Sequence, residues 1–245
     1  MDPKPYIKFK LNGVSKSGAD VDGFELQAYS RALNNLRSLL FQQPMLDLLQ
    51  NQIEEGDRYF ESLIEASGGL YRECRIFMKV SGITATDFKA ICSRWHASQP
   101  LDDMARRYVF PTHPEHYVAM QSPDAPEGGG PDCGVELIGE HMARIRYVDL
   151  TQTPVDVPTR LWHARSKTYD MMEVMVAKLD SGSKFFYLMN EFVDTGGGCK
   201  IRLRVFFPSA APWSLINQHA EHLAVEFRNL LKMVHAAVKT LEDSY

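Results

Sequence analysis

The feature that most restricts the fold is a long amphipathic segment at the end of the chain, from about Ser214 to Asp243. Its apolar residues recur at helical spacing: Leu223, Phe227, Leu230, Val234, Val238 and Leu241. At 1.5 Å per residue such a helix would be roughly 42 Å long, and its apolar stripe must be buried. The rest of the chain therefore has to supply one broad surface for it.

Strands ahead of this helix can supply that surface. The segments with strand-like patterns are 71–80, 133–138, 142–150, 159–165, 171–179, 184–193 and 199–207. Because most of them follow one another instead of alternating with helices, the predicted class is α+β. We expect a helix-grip fold, in which a curved antiparallel sheet wraps around the C-terminal helix. Such a fold leaves a cavity between sheet and helix, where small-molecule sites usually lie.

The first half of the chain is predicted to be mainly helical. Helices are expected over 24–41, from Pro44 to Gly68-Gly69, and from Thr84 to Ala97, where Thr84 and Asp87 have capping-box spacing. Residues 1–22 are predicted to be a loosely held arm and 122–132 a flexible loop, and Tyr108 to Met120 is broken by two prolines. We divide the chain into 1–69, N-terminal arm and helices, and 70–245, the helix-grip domain, within one structural domain overall.

Composition excludes several classes of partner. The net charge of −4 predicts no attraction to nucleic acid or to an anionic membrane. No apolar run approaches the roughly 20 residues of a membrane span, and the first ten residues lack the apolar core of a secretory signal. The four cysteines include no C-x-x-C pair, so we expect reduced thiols and a cytoplasmic protein.

The final helix carries the strongest chemical signal. His222 and Glu226 are one turn apart on one face, at the flank of the apolar stripe, where both can point into a cavity. A buried carboxylate needs a partner, and imidazole with carboxylate is a suitable donor set for zinc. An exposed His/Glu pair is the alternative. His219, three residues earlier, is either a further ligand or a surface residue.

Two other segments carry candidate ligands. His113 and His116 flank Pro114 in a short stretch whose backbone the proline stiffens, and the alternative for them is a surface turn. Glu136 alternates with Val135 and Leu137 on a predicted strand, so it faces away from them; it is either a ligand or base in a pocket, or a solvent-facing residue.

Taken in order, these segments resemble the family of diacetylphloroglucinol hydrolase and phloretin hydrolase. The resemblance covers about residues 70–240 and includes the segments Arg94-Trp95-His96, Arg107-Tyr108, His113-Pro-x-His116, Val135-Glu-x-Ile-Gly139, Val193-Asp-Thr195 and His222-x-x-x-Glu226. Members hydrolyse a carbon–carbon bond next to an aryl ketone, using zinc in a START-like helix-grip fold.

The resemblance implies particular roles for residues of this chain. It places the zinc ligands at His116, Glu136, His222 and Glu226, with His113 as a rival because the spacing between the two histidines departs from the family pattern. It implies that Tyr108 contacts a phenolic substrate. Trp95 and Asn190, the latter standing where a histidine is expected, are further candidates for substrate binding. Glu136 and Glu226 are the candidate proton carriers.

The predicted function is therefore a zinc-dependent hydrolase that cleaves a carbon–carbon bond beside a ketone in an acylated phenol or β-diketone-like molecule. Ala119 replaces a polar residue of the family, and the stretch before the last helix is shorter, so we expect a different substrate. The competing predictions are a non-enzymatic binder of a lipid or apolar molecule, and an isomerase or cyclase without metal. The amphipathic segment 24–66 predicts a homodimer, or else simply covers a sheet edge.

Overall fold

The computed structural model describes residues 8–98, 100–122 and 131–242. The chain divides after Phe41 into two compact units. Most of the loop predicted over 122–132, residues 1–7 of the predicted arm and residue 243 of the predicted last helix lie outside the described residues.

The first unit begins with a hairpin. Strands β1 (Phe9–Leu11) and β2 (Val14–Lys16) pair antiparallel around Asn12-Gly13, and both turn residues have positive φ, as two-residue hairpin loops require. Helix α1 (Gly18–Leu39) follows and is capped by Ser17, whose hydroxyl accepts from the Asp20 amide at 3.1 Å. The prediction of a loose arm over 1–22 is thus wrong for residues 8–22, since the turn and the cap order them.

The second unit is built on a seven-stranded sheet. Its strands are β3 (Tyr71–Ser81), β4 (His116–Met120), β5 (Cys133–Ile138), β6 (His141–Asp149), β7 (Met171–Lys178), β8 (Lys184–Thr195) and β9 (Gly198–Pro208). The order across the sheet is β3-β9-β8-β7-β6-β5-β4, and every neighbouring pair is antiparallel. Strands β4 to β9 lie side by side in chain order, and β9 pairs with β3, the first strand of this sheet.

The sheet is covered by helices α2 (Gln43–Ser67), α3 (Ala85–Ser98) and α6 (Trp213–Glu242). The predicted stripe of α6 is buried at Leu223, Phe227 and Val234, and joins the core formed by the sheet. The predicted fold class is confirmed: the chain has an α+β, START-like helix-grip fold with its sheet around a long C-terminal helix and helices at its N-terminal end.

Helix α2 packs directly on the sheet. A side chain at Gly56 would meet the Met142 carbonyl oxygen at 1.9 Å, so the helix and β6 approach each other at a distance that only glycine allows. The division after Phe41 therefore differs from the predicted boundary at 69/70, which assigned this helix to the N-terminal part.

One predicted strand is wrong. Residues 159–165 contain the short helix α5 (Thr159–His163), which starts after Pro158 and follows a short 3₁₀ turn (Pro154–Asp156). Val157 and Leu161 are both buried and lie four residues apart, a spacing that fits a helix as well as a strand, so the pattern alone did not exclude the helix. The predicted capping box at Thr84 is confirmed, since its amide donates to Asp87 at 3.0 Å and its hydroxyl accepts from the Asp87 amide at 3.0 Å.

Candidate metal centre

His116 is held by the unusual backbone that precedes it. After the short helix α4 (Leu101–Met104), residues Ala105–Val109 form a π-helical turn, a feature often found at functional sites. The Val109 carbonyl then accepts from His116 Nδ1 at 3.1 Å and from the Thr112 hydroxyl at 2.6 Å. Because a carbonyl only accepts, Nδ1 carries the hydrogen, and a neutral His116 presents the lone pair of Nε2.

His222 is held from the other side. It lies on α6, is 5% exposed, and its Nδ1 is 3.5 Å from Glu115 Oε2. A carboxylate in that position favours hydrogen on Nδ1, which again leaves Nε2 as the atom facing the cluster. Glu226, one turn further along α6, brings Oε2 to 4.0 Å from His222 Nε2 and keeps 26% of its side chain exposed.

Glu136 completes the cluster from the sheet. It lies on β5, and its Oε1 accepts from the Tyr147 hydroxyl at 3.0 Å. Tyr147 is on the adjacent strand β6, on the same face as Glu136, because Glu136 pairs with Ala143 and Tyr147 is the fourth residue after Ala143. This bond turns Oε2 of Glu136 towards the two histidines.

The ligand atoms of this cluster are spaced like those around a single metal ion. His116 Nε2, His222 Nε2 and Glu136 Oε2 form a triangle with sides of 3.2, 3.5 and 3.6 Å. Two ligand atoms about 2.1 Å from zinc lie about 3.4 Å apart in a tetrahedron. With both Nδ1 atoms protonated, three acceptors converge here, and such an arrangement needs a positive charge among them, supplied by a proton or by a metal ion.

His113 lies beside this triangle. The ligand atoms of His113, His116 and His222 lie within 4.8 Å of one another, so the three buried histidines could hold a metal ion. The His113 ring stacks on His222 with centroids 3.6 Å apart, and its Nδ1 accepts from the Glu115 amide at 3.1 Å. That bond occupies the lone pair of one nitrogen, which favours His116 over His113 as the ligand.

Burial and neighbouring charges shift the pKa values of several groups in the cluster. Burial lowers the pKa of His222, but the nearby carboxylates of Glu115, Glu136 and Glu226 outweigh it, so this pKa lies above its usual value. Burial raises the pKa of Glu226, which the neighbouring His222 only partly offsets. Burial also raises the pKa of Tyr147, so it stays a hydroxyl donor to Glu136.

An open cleft of about 590 Å³ reaches the cluster from one side. Its lining includes His113, Glu115 and His222, the β5–β6 turn, and the first half of α6 with His219. His219 is 4% exposed, and burial, followed by the nearby His222, His113 and His116, lowers its pKa to about 3. The surface alternative for His219 is thus wrong, since its imidazole is buried beside the cleft.

The predicted substrate residues lie elsewhere. Tyr108 belongs to the π-helical turn and stacks on Trp95 with centroids 4.2 Å apart. Asn190 is buried on β8 and hydrogen-bonds Glu173. Among the described residues that line the cleft, none of these three occurs. The sequence analysis missed Tyr147, Val109 and Glu115; the hairpin register would have pointed to Tyr147, but the other two depend on tertiary contacts.

Comparisons with known proteins give a fold-level likeness only. No protein-family model and no curated protein matches this chain. A solved structure of Ara h 8.0201 aligns with a TM-score of 0.42 at 11% identity, covering 68% of this chain and 99% of that chain. A putative uncharacterized protein from Rhizobium leguminosarum aligns with a TM-score of 0.35 at 13% identity, covering 68% of this chain and 97% of that chain. Likenesses at this level carry no information on activity.

The fold and the site together define a class: an α+β helix-grip protein with a buried group of histidines that could hold a metal ion. Within the described residues, no helix combines the length and hydropathy needed to cross a membrane.

Proposed function

We propose that the protein is a zinc-dependent hydrolase that cleaves a carbon–carbon bond beside a ketone in an acylated phenol or β-diketone-like small molecule. The observation that carries the proposal is the triangle formed by His116, His222 and Glu136, with sides of 3.2 to 3.6 Å. The same three residues and Glu226 are the ligands that the resemblance to diacetylphloroglucinol hydrolase implies. Residues far apart in the sequence thus meet at one point.

The ligands we propose are His116, Glu136, His222 and Glu226. Their outer contacts support this assignment, because metal-binding imidazoles commonly donate their second nitrogen to a carbonyl or a carboxylate. His116 donates to Val109, and His222 is directed at Glu115. Zinc held there would supply a Lewis acid for a ketone oxygen and a source of hydroxide near neutral pH.

The chemistry requires a proton carrier. In the overall reaction, the oxygen of water bonds to the carbonyl carbon, the carbon–carbon bond breaks, and its electron pair remains on the ring or enolate carbon. That carbon must then be protonated. We assign this step to Glu226, which keeps 26% of its side chain exposed and lies 4.0 Å from His222, farther than the three triangle atoms lie from one another. Glu136 is the alternative, although Tyr147 restrains it.

Substrate binding would involve further residues. Tyr108, Trp95 and Asn190 stay predicted substrate contacts, with Tyr108 as the residue that holds a phenolic oxygen. We also propose a cytoplasmic location, which the free cysteines Cys74, Cys92, Cys133 and Cys199 support.

The Glu226→Gln variant tests the proposed function. We expect wild-type protein loaded with zinc to release acetate from 2,4,6-trihydroxyacetophenone. The variant should lose about 10²-fold or more of that rate, the usual contribution of a proton-transferring residue, while the closely spaced triangle of His116, His222 and Glu136 retains most of the zinc. Glu65→Gln, an exposed carboxylate on α2, is the control and should change neither. Equal rates for both variants would contradict the role of Glu226.

The second candidate is a binder without catalytic activity. The open cleft of about 590 Å³ favours it, since a helix-grip cavity can hold an apolar molecule without any metal. A purified chain that contains bound lipid and takes up no zinc would support this candidate over the hydrolase.

A further inference from the structure

His219 is a buried imidazole to which the described residues offer no hydrogen-bond partner. It lies one turn before His222 on α6, and both of its ring nitrogens are buried without a hydrogen-bond partner among the described residues. The rings nearest to it are apolar or already engaged: Phe207 at 4.9 Å, His222 at 5.5 Å and Phe186 at 6.0 Å. A buried polar group left in this state usually has a partner from outside the protein.

The cleft that His219 lines can deliver such a partner. Apart from its three histidines, the ionisable side chains of the cleft are carboxylates, Glu115, Glu140 and Glu221, and among the described residues no lysine or arginine lines it. A concave surface with one sign of charge concentrates ligands of opposite or zero charge and repels those of its own sign. The lining also contains apolar contacts from Leu137 and Val225.

We propose that part of the substrate binds in this cleft, that the cleft selects uncharged molecules over anionic ones, and that His219 binds a hydroxyl or carbonyl oxygen of the bound molecule. The proposal rests on the proposed function, because it defines the substrate class of the same centre. A neutral imidazole offers one donor and one acceptor, which suits an oxygen that can accept, donate or do both. The cleft also favours release of product, since hydrolysis of the ketone converts a neutral acyl group into a carboxylate.

Binding to matched probes tests the charge preference. We expect the zinc-loaded protein to bind neutral 4-acetylbenzamide at least 10-fold more tightly than anionic 4-acetylbenzoate, measured by isothermal titration calorimetry. Replacing Glu140 and Glu221 with Gln should reduce that ratio several-fold, chiefly by improving binding of the anion. Neither residue is one of the proposed ligands, and Glu65→Gln serves as a control outside the cleft. An unchanged ratio in the double variant, or no binding of either probe, would overturn the proposal.

The His219→Phe variant tests the positioning role. Phenylalanine fills the same space among aromatic rings and removes both nitrogens, so the melting temperature should stay equal or rise. We expect at least a 10-fold loss of affinity for 4-hydroxyacetophenone and little change for 4-methylacetophenone, which lacks the hydroxyl. Equal losses for the two probes would assign His219 to packing and overturn its role.

These measurements separate the two proposals. If the wild-type protein binds the probes in the predicted way but releases no acetate from 2,4,6-trihydroxyacetophenone, the hydrolase proposal fails and the binding site stands. If it cleaves that ketone while His219→Phe and the double variant bind all probes like the wild type, the hydrolase stands and the inference fails. A loss of zinc in His219→Phe would make His219 a ligand and would also contradict the inference.

Discussion

The hydroxyl of Tyr147 decides which oxygen of Glu136 faces the histidines. It donates to Oε1 at 3.0 Å, and Oε2 is then the atom 3.5 Å from His116 and 3.6 Å from His222. Without this bond the carboxylate can rotate away from the cluster. The orientation of the proposed ligand therefore depends on a residue that does not itself contact the ion.

We therefore predict that Tyr147→Phe weakens zinc binding about 10- to 100-fold, the usual effect of removing a partner of a ligand. Competition with a zinc-binding dye measures the affinity. Tyr29→Phe is a matched control, because Tyr29 also donates to a carboxylate, Glu25, but lies on the exposed surface of α1. If both variants bind zinc like the wild type, Tyr147 does not orient Glu136.

The negative charge of Asp57 destabilises the folded protein. Burial and the charges of Asp180 and Glu61 raise its pKa to about 6, and Arg144 only partly offsets them. The folded protein thus holds the proton more tightly than the unfolded chain, whose Asp pKa is 3.8. Stability attributable to Asp57 is complete below about pH 4 and decreases as the pH rises to about 6.

The Asp57→Asn variant should accordingly be more stable than the wild type above pH 6. The difference should shrink as the pH falls and vanish only well below pH 4, where Asp57 is protonated in both states. Urea unfolding at a series of pH values measures it. A difference that stays constant from pH 4 to pH 7 would show that the charge of Asp57 is not the cause.

At the scale of residues, the sequence predicted which side chains form the cluster better than it predicted their hydrogen-bond partners. The i, i+4 spacing of His222 and Glu226 was sufficient to place them on one face of a helix, and Glu136 was correctly set opposite to Val135 and Leu137. The choice between His113 and His116 needed the carbonyl of Val109, which accepts from His116 and lies at the end of the π-helical turn.

At the scale of elements, α2 depends on a single close approach to the sheet. Gly56 faces the Met142 carbonyl, and an alanine there would place Cβ 1.9 Å from that oxygen. The helix must move outward or the strand must bend, and β6 also carries Tyr147. The position of α2 is thus connected to the centre through one strand.

We predict that Gly56→Ala lowers the free energy of unfolding by about 1–3 kcal/mol, the usual cost of overpacking, in spite of the better helix propensity of alanine. Chemical denaturation measures it. Gly23→Ala on α1 is the matched control, because a side chain there meets nothing within 4 Å, and it should be neutral or slightly stabilising. A Gly56→Ala variant as stable as the wild type would contradict the close packing of α2 on β6.

The elements that sequence reasoning missed had local signals of a weaker kind. Asn12-Gly13 and the Ser17–Asp20 cap both mark ordered structure in a segment that its polar composition made look loose. The short helix after Pro158 was mistaken for a strand because its few residues fit either period. The long helix α6 and the strands from β5 to β9 were found because their patterns extend over many residues, apart from that one false strand.

At the scale of the whole molecule, the homodimer is still a prediction. Several large apolar side chains of α1 are exposed, namely Leu26, Tyr29, Leu36 and Leu39. A second copy of the chain is the partner that we expect to cover them. Size-exclusion chromatography with light scattering should give about twice the chain mass of 27.8 kDa. A single-chain mass across the micromolar range would contradict the dimer.

The central claim concerns the three acceptor atoms that converge on one point. Elemental analysis of the protein after incubation with zinc and removal of the excess, compared with the His222→Ala variant, tests it most directly. The account predicts about one zinc ion per chain in the wild type and close to none in the variant. A wild-type protein that retains no zinc, or a variant that retains as much as the wild type, would contradict it.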